Sequence, residues 1–500
     1  MPALPLTLGA PVLQRIRSRA TALSVAWFVA LVVAVALLMR LATVGQTLHS
    51  DESGYTLLAR AWHLGGPNLY GHYWVDRPPL LIAIFRLASA LPWEGAVRLL
   101  AMPFVALLIG GAAWAGRLTN GDRGARWGAL VGAAMMTTPL ASGQVTDGEL
   151  LAAPFVMVSI GLTLTSLRRA GWGAFGFAVL AGTVAGLAIA TKQSFCDGVV
   201  FAATLALVSA FRRELSPARS AGLLAAGAFG LALVAGATAA YAVESGVGVG
   251  ELWYDLIDFR GDALRTLASS DLSAPLSRAG LLLVAALLSG ALPLAGAFML
   301  TGARRRAVAS PVEWAVRVTI GFEVFGIAAG GSYWSHYLLQ LTPMLALAAA
   351  LRAPSDAGVR RWSTGVILSA SVSAIGLAVP GAATRFIDGE CGGVVTGRWL
   401  AGVATPGETA TVLFGHAETQ LASGMESPYE HLWSLPARTL DPTLDGLYGV
   451  LTTDLAPSWV VVWSESDDLK PDTRGRIRAV LARDYDRVPD VCGHQVWHHP

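Results

Sequence analysis

Apolar runs of membrane-span length recur from Ala22 to Val379, separated by short polar loops, and several of the runs are short for a full span. A hydrocarbon core of ~30 Å takes roughly 20 helical residues to cross. The pattern predicts spans at 22–44, 96–117, 126–143, 150–167, 174–191, 195–211, 221–243, 277–300, 312–331, 336–352 and 363–380. One further apolar stretch, Leu80 to Leu91, is interrupted only by Arg86. It covers about 18 Å as a helix, too little to cross, and is expected to lie in the outer interface as an amphipathic helix.

The loops divide by charge. Arg15/Arg17/Arg19, Arg117/Arg123/Arg126, Arg168/Arg169, Arg212/Arg213/Arg219, Arg304/Arg305/Arg306 and Arg360/Arg361 fall in alternate loops. Basic loops stay cytoplasmic, so the N-terminus is expected inside. Asp51, Asp147, Glu149, Asp255 and Asp258 then lie outside with everything after Pro380. From Gly381 the composition changes: Thr411–Phe414 and Trp459–Trp463 read as short buried strands and Arg474–Arg483 as a helix, with prolines punctuating the loops. The expected fold is an all-α polytopic membrane protein of about 11 transmembrane helices over 1–380, with an outer catalytic loop at 45–95. A small α/β extracytoplasmic domain is expected over 381–500.

Composition agrees: 54% hydrophobic residues, 14% charged and a mean hydropathy of +0.54 exclude a soluble domain. The net charge of +2, without a basic stripe, gives no reason to expect nucleic acid. Of three cysteines, Cys196 sits in an apolar run and reads as packing, whereas Cys391 and Cys492 flank the outer segment as a disulfide candidate.

The chemistry is concentrated outside. His49 to Leu80 carries Asp51-Glu52 with Tyr55, then Asp76-Arg77-Pro78-Pro79, amid Trp62, Tyr70, Tyr73 and Trp74, aromatics suited to a headgroup zone. A carboxylate there serves either as general base towards an acceptor hydroxyl or, at Ser50 or Asp51, as a helix cap. Arg77 at a proline-fixed corner suits a phosphate or a snorkelling contact with headgroups. Thr146-Asp147-Gly148-Glu149, Lys192-Gln193 and Tyr333-Trp334-Ser335-His336-Tyr337 lie at outer helix ends. Each has a bland counterpart: a turn, a snorkelling lysine, a polar cap. What argues for a site is that five chain-distant groups of both signs arrive at one membrane face. A long outer segment, LWYDLIDFRGDALRTL, has the period of a helix that either covers the first loop or lies on the membrane.

Asp51-Glu52-x-x-Tyr55, then Asp76-Arg77-Pro78-Pro79-Leu80, then Arg98-Leu99, resembles the polyprenol-phosphate-sugar-dependent glycosyltransferases of the GT-C membrane fold. That group includes the aminoarabinose lipid A transferases and protein O-mannosyltransferases. Asp147 matches its second acidic loop, and His336-Tyr337-Leu338-Leu339-Gln340-Leu341-x-Pro343 its late outer motif; the likeness covers roughly 40–350. The resemblance implies Asp51 as base, supported by Asp76 and Asp147. Glu52, Tyr55, Arg77, Glu149, Lys192, His336 and Tyr337 would contact substrate. Arg77 stands where relatives often have lysine, which keeps the charge and changes the geometry. The implied donor is a polyprenyl-phosphate-linked sugar taken from the bilayer. The acceptor would be a lipid, glycan or protein, and transfer inverts the anomeric centre. No metal-ligand spacing is present, although so many carboxylates are compatible with a divalent metal. The competing expectation is a transporter or flippase of a lipid-linked sugar; such proteins place their charges at the midplane between repeats, and no internal repeat is visible here.

Overall fold

The structure is a computed structural model that describes residues 10–91, 93–269, 272–304, 309–378, 392–463 and 469–500. The chain is predominantly helical. In order come α1 (Ala10–Leu41), α2 (Ser50–Ala61), α3 (Pro79–Ser89), α4 (Ala96–Thr137), α5 (Gly148–Arg168), α6 (Gly171–Thr191), α7 (Asp197–Phe211) and α8 (Pro217–Glu244). Then follow α9 (Val249–Trp253), a π turn at Tyr254–Asp258, α10 (Phe259–Ala268), α11 (Ser273–Leu288), α12 (Ala291–Arg304), α13 (Pro311–Ala329), a 3₁₀ turn at Ser335–Leu341, α14 (Thr342–Arg352) and α15 (Ala357–Ala378).

Among the described residues five helices are long and apolar enough to cross a membrane, or six if the bent pair α9–α10/α11 counts as one span. This is a multi-pass membrane protein, with fewer qualifying spans than the 11 expected from apolar runs. Helix breaks account for part of the gap. The 42-residue α4 leaves helical geometry at Asn120 and Gly121 and doubles back. A Cβ at Gly116 would meet Gly124 O at 2.5 Å, and one at Gly128 would meet Ala112 O at 2.6 Å. Pairs whose numbers converge on the break describe an antiparallel hairpin, closed because glycine lets the backbones touch. Region 277–300, expected as one span, is split by Gly290 at φ +77°. A Cβ there would also lie 3.1 Å from Val366 N. The expected span 336–352 begins as a 3₁₀ turn, leaving an α-helix of only 11 residues.

Short α3, introduced by Pro78-Pro79, buries Leu81, Ile82 and Phe85 and leaves Leu87 exposed, so one side packs on the bundle and the other does not. Of the aromatics of the first loop, Tyr70, Tyr73 and Trp74 are buried within the protein and Trp62 is half-buried. They pack against other outer segments, Trp62 and Tyr70 meeting Tyr241, and Trp74 meeting Phe259.

The tail folds as a four-stranded sheet of order β1-β2-β4-β3. Its strands are β1 (Ala410–Leu413), β2 (Trp459–Val462), β3 (Asp486–Val491) and β4 (His494–His498). β1 and β2 are parallel and wholly buried, as their unbroken apolar run predicts. The β3–β4 hairpin is missed by the sequence pattern because both strands are polar; β3 carries Pro489, tolerable on an edge. Its turn uses Cys492 at φ +56° and Gly493 at φ +79°, the paired left-handed geometry of a tight hairpin. Cys492 is disulfide-bonded; Cys391 lies outside the described residues. Cys196 is free.

Candidate active site on the outer face

Helix α2 carries Asp51 in its first turn. The cap is His49, not Ser50 or Asp51: the His49 N–H donates to Glu52 Oε2 at 3.0 Å in a reciprocal capping box. That leaves the Asp51 carboxylate for other work. It accepts one hydrogen bond, 2.9 Å from Trp433 Nε1 of the tail. Ser50 beside it donates to Gly415 O at 2.6 Å.

Glu52 faces the other way. It is fully buried and takes Arg98 at both oxygens, Nε to Oε1 at 3.0 Å and Nη2 to Oε2 at 2.8 Å, plus the Thr146 N–H at 2.8 Å. Arg98 also donates to Thr43 O at 2.7 Å and Thr47 O at 2.8 Å. Burial alone would push the Glu52 carboxyl up, but the Arg98 guanidinium holds it below the usual range. The pair ties together the end of α1, α2, α4 and the loop before α5, and Glu52 has no oxygen left for a substrate.

The second loop motif forms a charged ladder. Arg77 donates from Nε to the Tyr55 hydroxyl at 2.9 Å and from Nη1 to Asp76 Oδ1 at 2.6 Å. Asp76 also pairs with Arg260 of α10. Gln193 holds the Asp76 carbonyl at 2.9 Å, and Trp74 Nε1 donates to Asp255 Oδ1 at 2.9 Å. The segment of uncertain placement in the sequence therefore covers the first loop, and it brings in a cation. Burial works against the charge of Arg77, yet Asp76 beside it drives its pKa well above the usual value.

Across from this, Asp147 caps α5, its Oδ1 accepting from Leu150 N at 3.0 Å. Glu149 one residue into α5 pairs with Lys192 at the end of α6. His336 approaches both acids, Nδ1 lying 3.5 Å from Asp147 Oδ2 and Nε2 3.7 Å from Glu149 Oε1. Tyr337 places its ring 5.4 Å from the Lys192 ammonium. Ligand atoms of Asp147, Glu149 and His336 all lie within 4.8 Å of one another. Asp147 Oδ2 and Glu149 Oε2 are buried without a hydrogen-bond partner. Two carboxylates and an imidazole with inward-facing free oxygens fit a small divalent cation. Spacing along the chain gave no hint of this group, because its third member lies some 190 residues away in sequence.

A cavity of ≈ 440 Å³ opens between these groups. Arg77, Lys192 and Arg260 line it, with Glu149, Gln193 and Tyr337; Leu256, Leu264, Leu267, Phe322 and Ile327 form its apolar wall. Asp51 stands beyond Tyr55, close enough for its charge to be felt at Arg77, Asp147 and His336. The expected residues thus converge, with Glu52 turned to structure. Arg260 and Trp433 are additions the sequence did not single out. Arg260 had a weak signal, an arginine in an amphipathic outer segment; Trp433 had none.

Helices carrying acids and bases on one face, a short apolar α3 and an appended α/β tail match the GT-C membrane fold. In that fold the chain is similar to ArnT from Cupriavidus metallidurans bound to undecaprenyl phosphate, with a TM-score of 0.62 and 16% identity over 94% of this chain and 97% of that one. The apo state of ArnT from the same organism gives a TM-score of 0.62 at 15% identity, covering 95% and 98%. Likeness to the archaeal oligosaccharyltransferase AglB from Archaeoglobus fulgidus is lower, a TM-score of 0.49 at 12% identity over 92% of this chain and 72% of that one. No family model matches the sequence, and no curated protein matches it.

Proposed function

We propose that the protein is a membrane glycosyltransferase that moves a sugar from a polyprenyl-phosphate donor to an acceptor on the outer face of the membrane. The observation that carries this reading is the ≈ 440 Å³ cavity, cationic at Arg77, Lys192 and Arg260 and apolar along Leu256, Leu264 and Phe322. A lipid phosphate needs both: fixed positive charge for its head and hydrocarbon for its first isoprene units. A polyprenyl phosphate bound in the similar ArnT structure supports the same assignment.

In the proposed reaction Asp51 takes the proton of the acceptor hydroxyl as its oxygen attacks the anomeric carbon from the face opposite the phosphate. The carbon–oxygen bond to phosphate breaks, the electron pair leaves with the phosphate, and the configuration inverts. Arg77, Lys192 and Arg260 stabilise the negative charge that grows on the leaving group. Asp76 holds Arg77 and Arg260 in register. Glu52, joined to Arg98, fixes the direction of α2. Asp147, Glu149 and His336 would hold a divalent cation, which would add positive charge beside the phosphate. Residues 1–380 then form the catalytic body and 381–500 the outer domain, with the N-terminus cytoplasmic and the C-terminus outside.

The test is release of polyprenyl phosphate by purified protein from a panel of polyprenyl-phosphate-linked hexoses and pentoses, with cell-envelope extract as acceptor. Asp51→Asn should lower turnover ~10²–10⁴-fold, the usual share of a general base, while polyprenyl phosphate still binds. Normal turnover by a folded Asp51→Asn variant removes the base. Acceptor-independent movement of donor without any release would make the protein a transporter.

A further inference from the structure

The outer tail reaches into the site at one point. Residues 427–433 lie along the first loop through a run of hydrogen bonds. Trp74 N–H donates to Glu430 O at 3.2 Å, Asn68 Nδ2 to Glu430 Oε2 at 2.7 Å, and Ser427 N–H to the Tyr73 hydroxyl at 2.9 Å. His72 Nε2 lies 3.0 Å from Ser427 O. Trp433 sits at the end of this run, where its indole N–H meets Asp51 Oδ1 at 2.9 Å. Its ring packs on Tyr55, centroids 5.6 Å apart, and Tyr55 in turn receives Arg77 Nε. Room for the indole exists because residue 54 is glycine: a Cβ there would come 2.3 Å from Trp433 Cζ2.

We propose that Trp433 is a positioning residue for the general base: its N–H holds one oxygen of Asp51, so that the other faces the acceptor hydroxyl. This rests on Asp51 being the base, as proposed above, and deepens that reading by making the outer tail part of the active site. A carboxylate on the first turn of a helix has free rotation about its side-chain bonds. A single donor on one oxygen removes that freedom. The donor suits the role because indole N–H donates only and carries no charge. It orients the carboxylate without competing for the acceptor's proton. The indole plane, wedged between Gly54 and Tyr55, is itself fixed by packing. The donor therefore arrives preorganised and depends on the docking of 427–433.

Trp433→Phe keeps the ring and removes the N–H; Gly54→Ala keeps both groups and displaces the ring. Both variants are measured in the full-length protein beside Asp51→Asn, with polyprenyl-phosphate-sugar turnover and polyprenyl phosphate binding as readouts. Expected for each is a kcat about tenfold lower, the scale of one hydrogen bond to a charged group, with KM for the donor and polyprenyl phosphate binding unchanged. The double variant should lose no more than the worse single, since both break the same contact. Wild-type kcat in Trp433→Phe, with Asp51→Asn inactive, overturns the positioning role and leaves the base. Loss of polyprenyl phosphate binding in Trp433→Phe also overturns it, since the tryptophan would then only support the fold. Full activity in Asp51→Asn removes the reading beneath it.

Discussion

Replacing Arg98 with alanine tests whether α2, the helix that carries Asp51, is held from beneath. Arg98 is 1% exposed and Glu52 0%. The guanidinium donates to both Glu52 oxygens and to the carbonyls of Thr43 and Thr47. In Arg98→Ala the carboxylate stays buried with only the N–H groups of His49 and Thr146 as partners. Deleting one member of a buried pair costs about 3–5 kcal/mol, mostly from the uncompensated charge. Taking about 4 kcal/mol, the unfolding equilibrium shifts by roughly a thousandfold, at 1.4 kcal/mol per tenfold. Thermal and denaturant unfolding of purified protein in one detergent measures it. Glu52→Gln should lose a similar amount, because it strands the guanidinium. The paired replacement Glu52→Leu/Arg98→Met should be milder than the sum of the singles, because no buried charge is left alone. An Arg98→Ala protein that unfolds within about 1 kcal/mol of wild type would refute the argument. So would two single losses that simply add.

Two further outcomes follow from the outer face. Mn²⁺, used as a probe, should bind at Asp147, Glu149 and His336 and be lost in Glu149→Gln; calorimetry that finds equal binding in both proteins would show that these residues do not hold it. His431 is buried against Trp74 and Tyr429, and burial lowers its pKa, opposed by Glu430 and Asp441 and aided by His72. A base depressed in the folded state contributes stability that is present above its unfolded pKa of ~6.5. That stability is lost as pH falls through the lower folded value, at up to about 1.4 kcal/mol per pH unit. Melting should drop on that acid limb and flatten in His431→Gln; parallel profiles would exclude His431 as the cause.

The helical body was legible because crossing a bilayer demands long apolar runs, and these survive any tertiary rearrangement. Helix ends were less legible. The turn at Asn120-Gly121 sits inside a run helical on both sides, and its closure depends on Gly116 meeting Gly124 across the hairpin. Convergence of Asp51, Arg77, Asp147, Lys192 and His336 followed from sidedness alone. Their division of labour did not. Asp51 and Glu52 are neighbours of the same chemistry, and only Arg98, 46 positions away, decides which one is buried. Arg260 and Trp433 lie in segments whose local pattern announces an amphipathic helix and a loop. Their roles arise from docking onto the first loop, which no window along the chain contains.

If the cavity takes an anion, as proposed, the acids beside it bear on how its cations are held. Arg77 and Arg260 share Asp76, and Lys192 has Glu149. Unpaired, these cations would repel one another, and Arg77 and Lys192, largely buried, would pay desolvation without return. Paired, they are fixed in place. In the proposed reaction the phosphodiester donor carries one negative charge. The phosphate monoester that would depart carries nearly two, so attraction would rise as the glycosidic bond broke. Binding that strengthens along the reaction is what lowers a barrier. Under the proposed function it would come from groups already held in position by Asp76 and Glu149, which need not reorganise when the charge arrives.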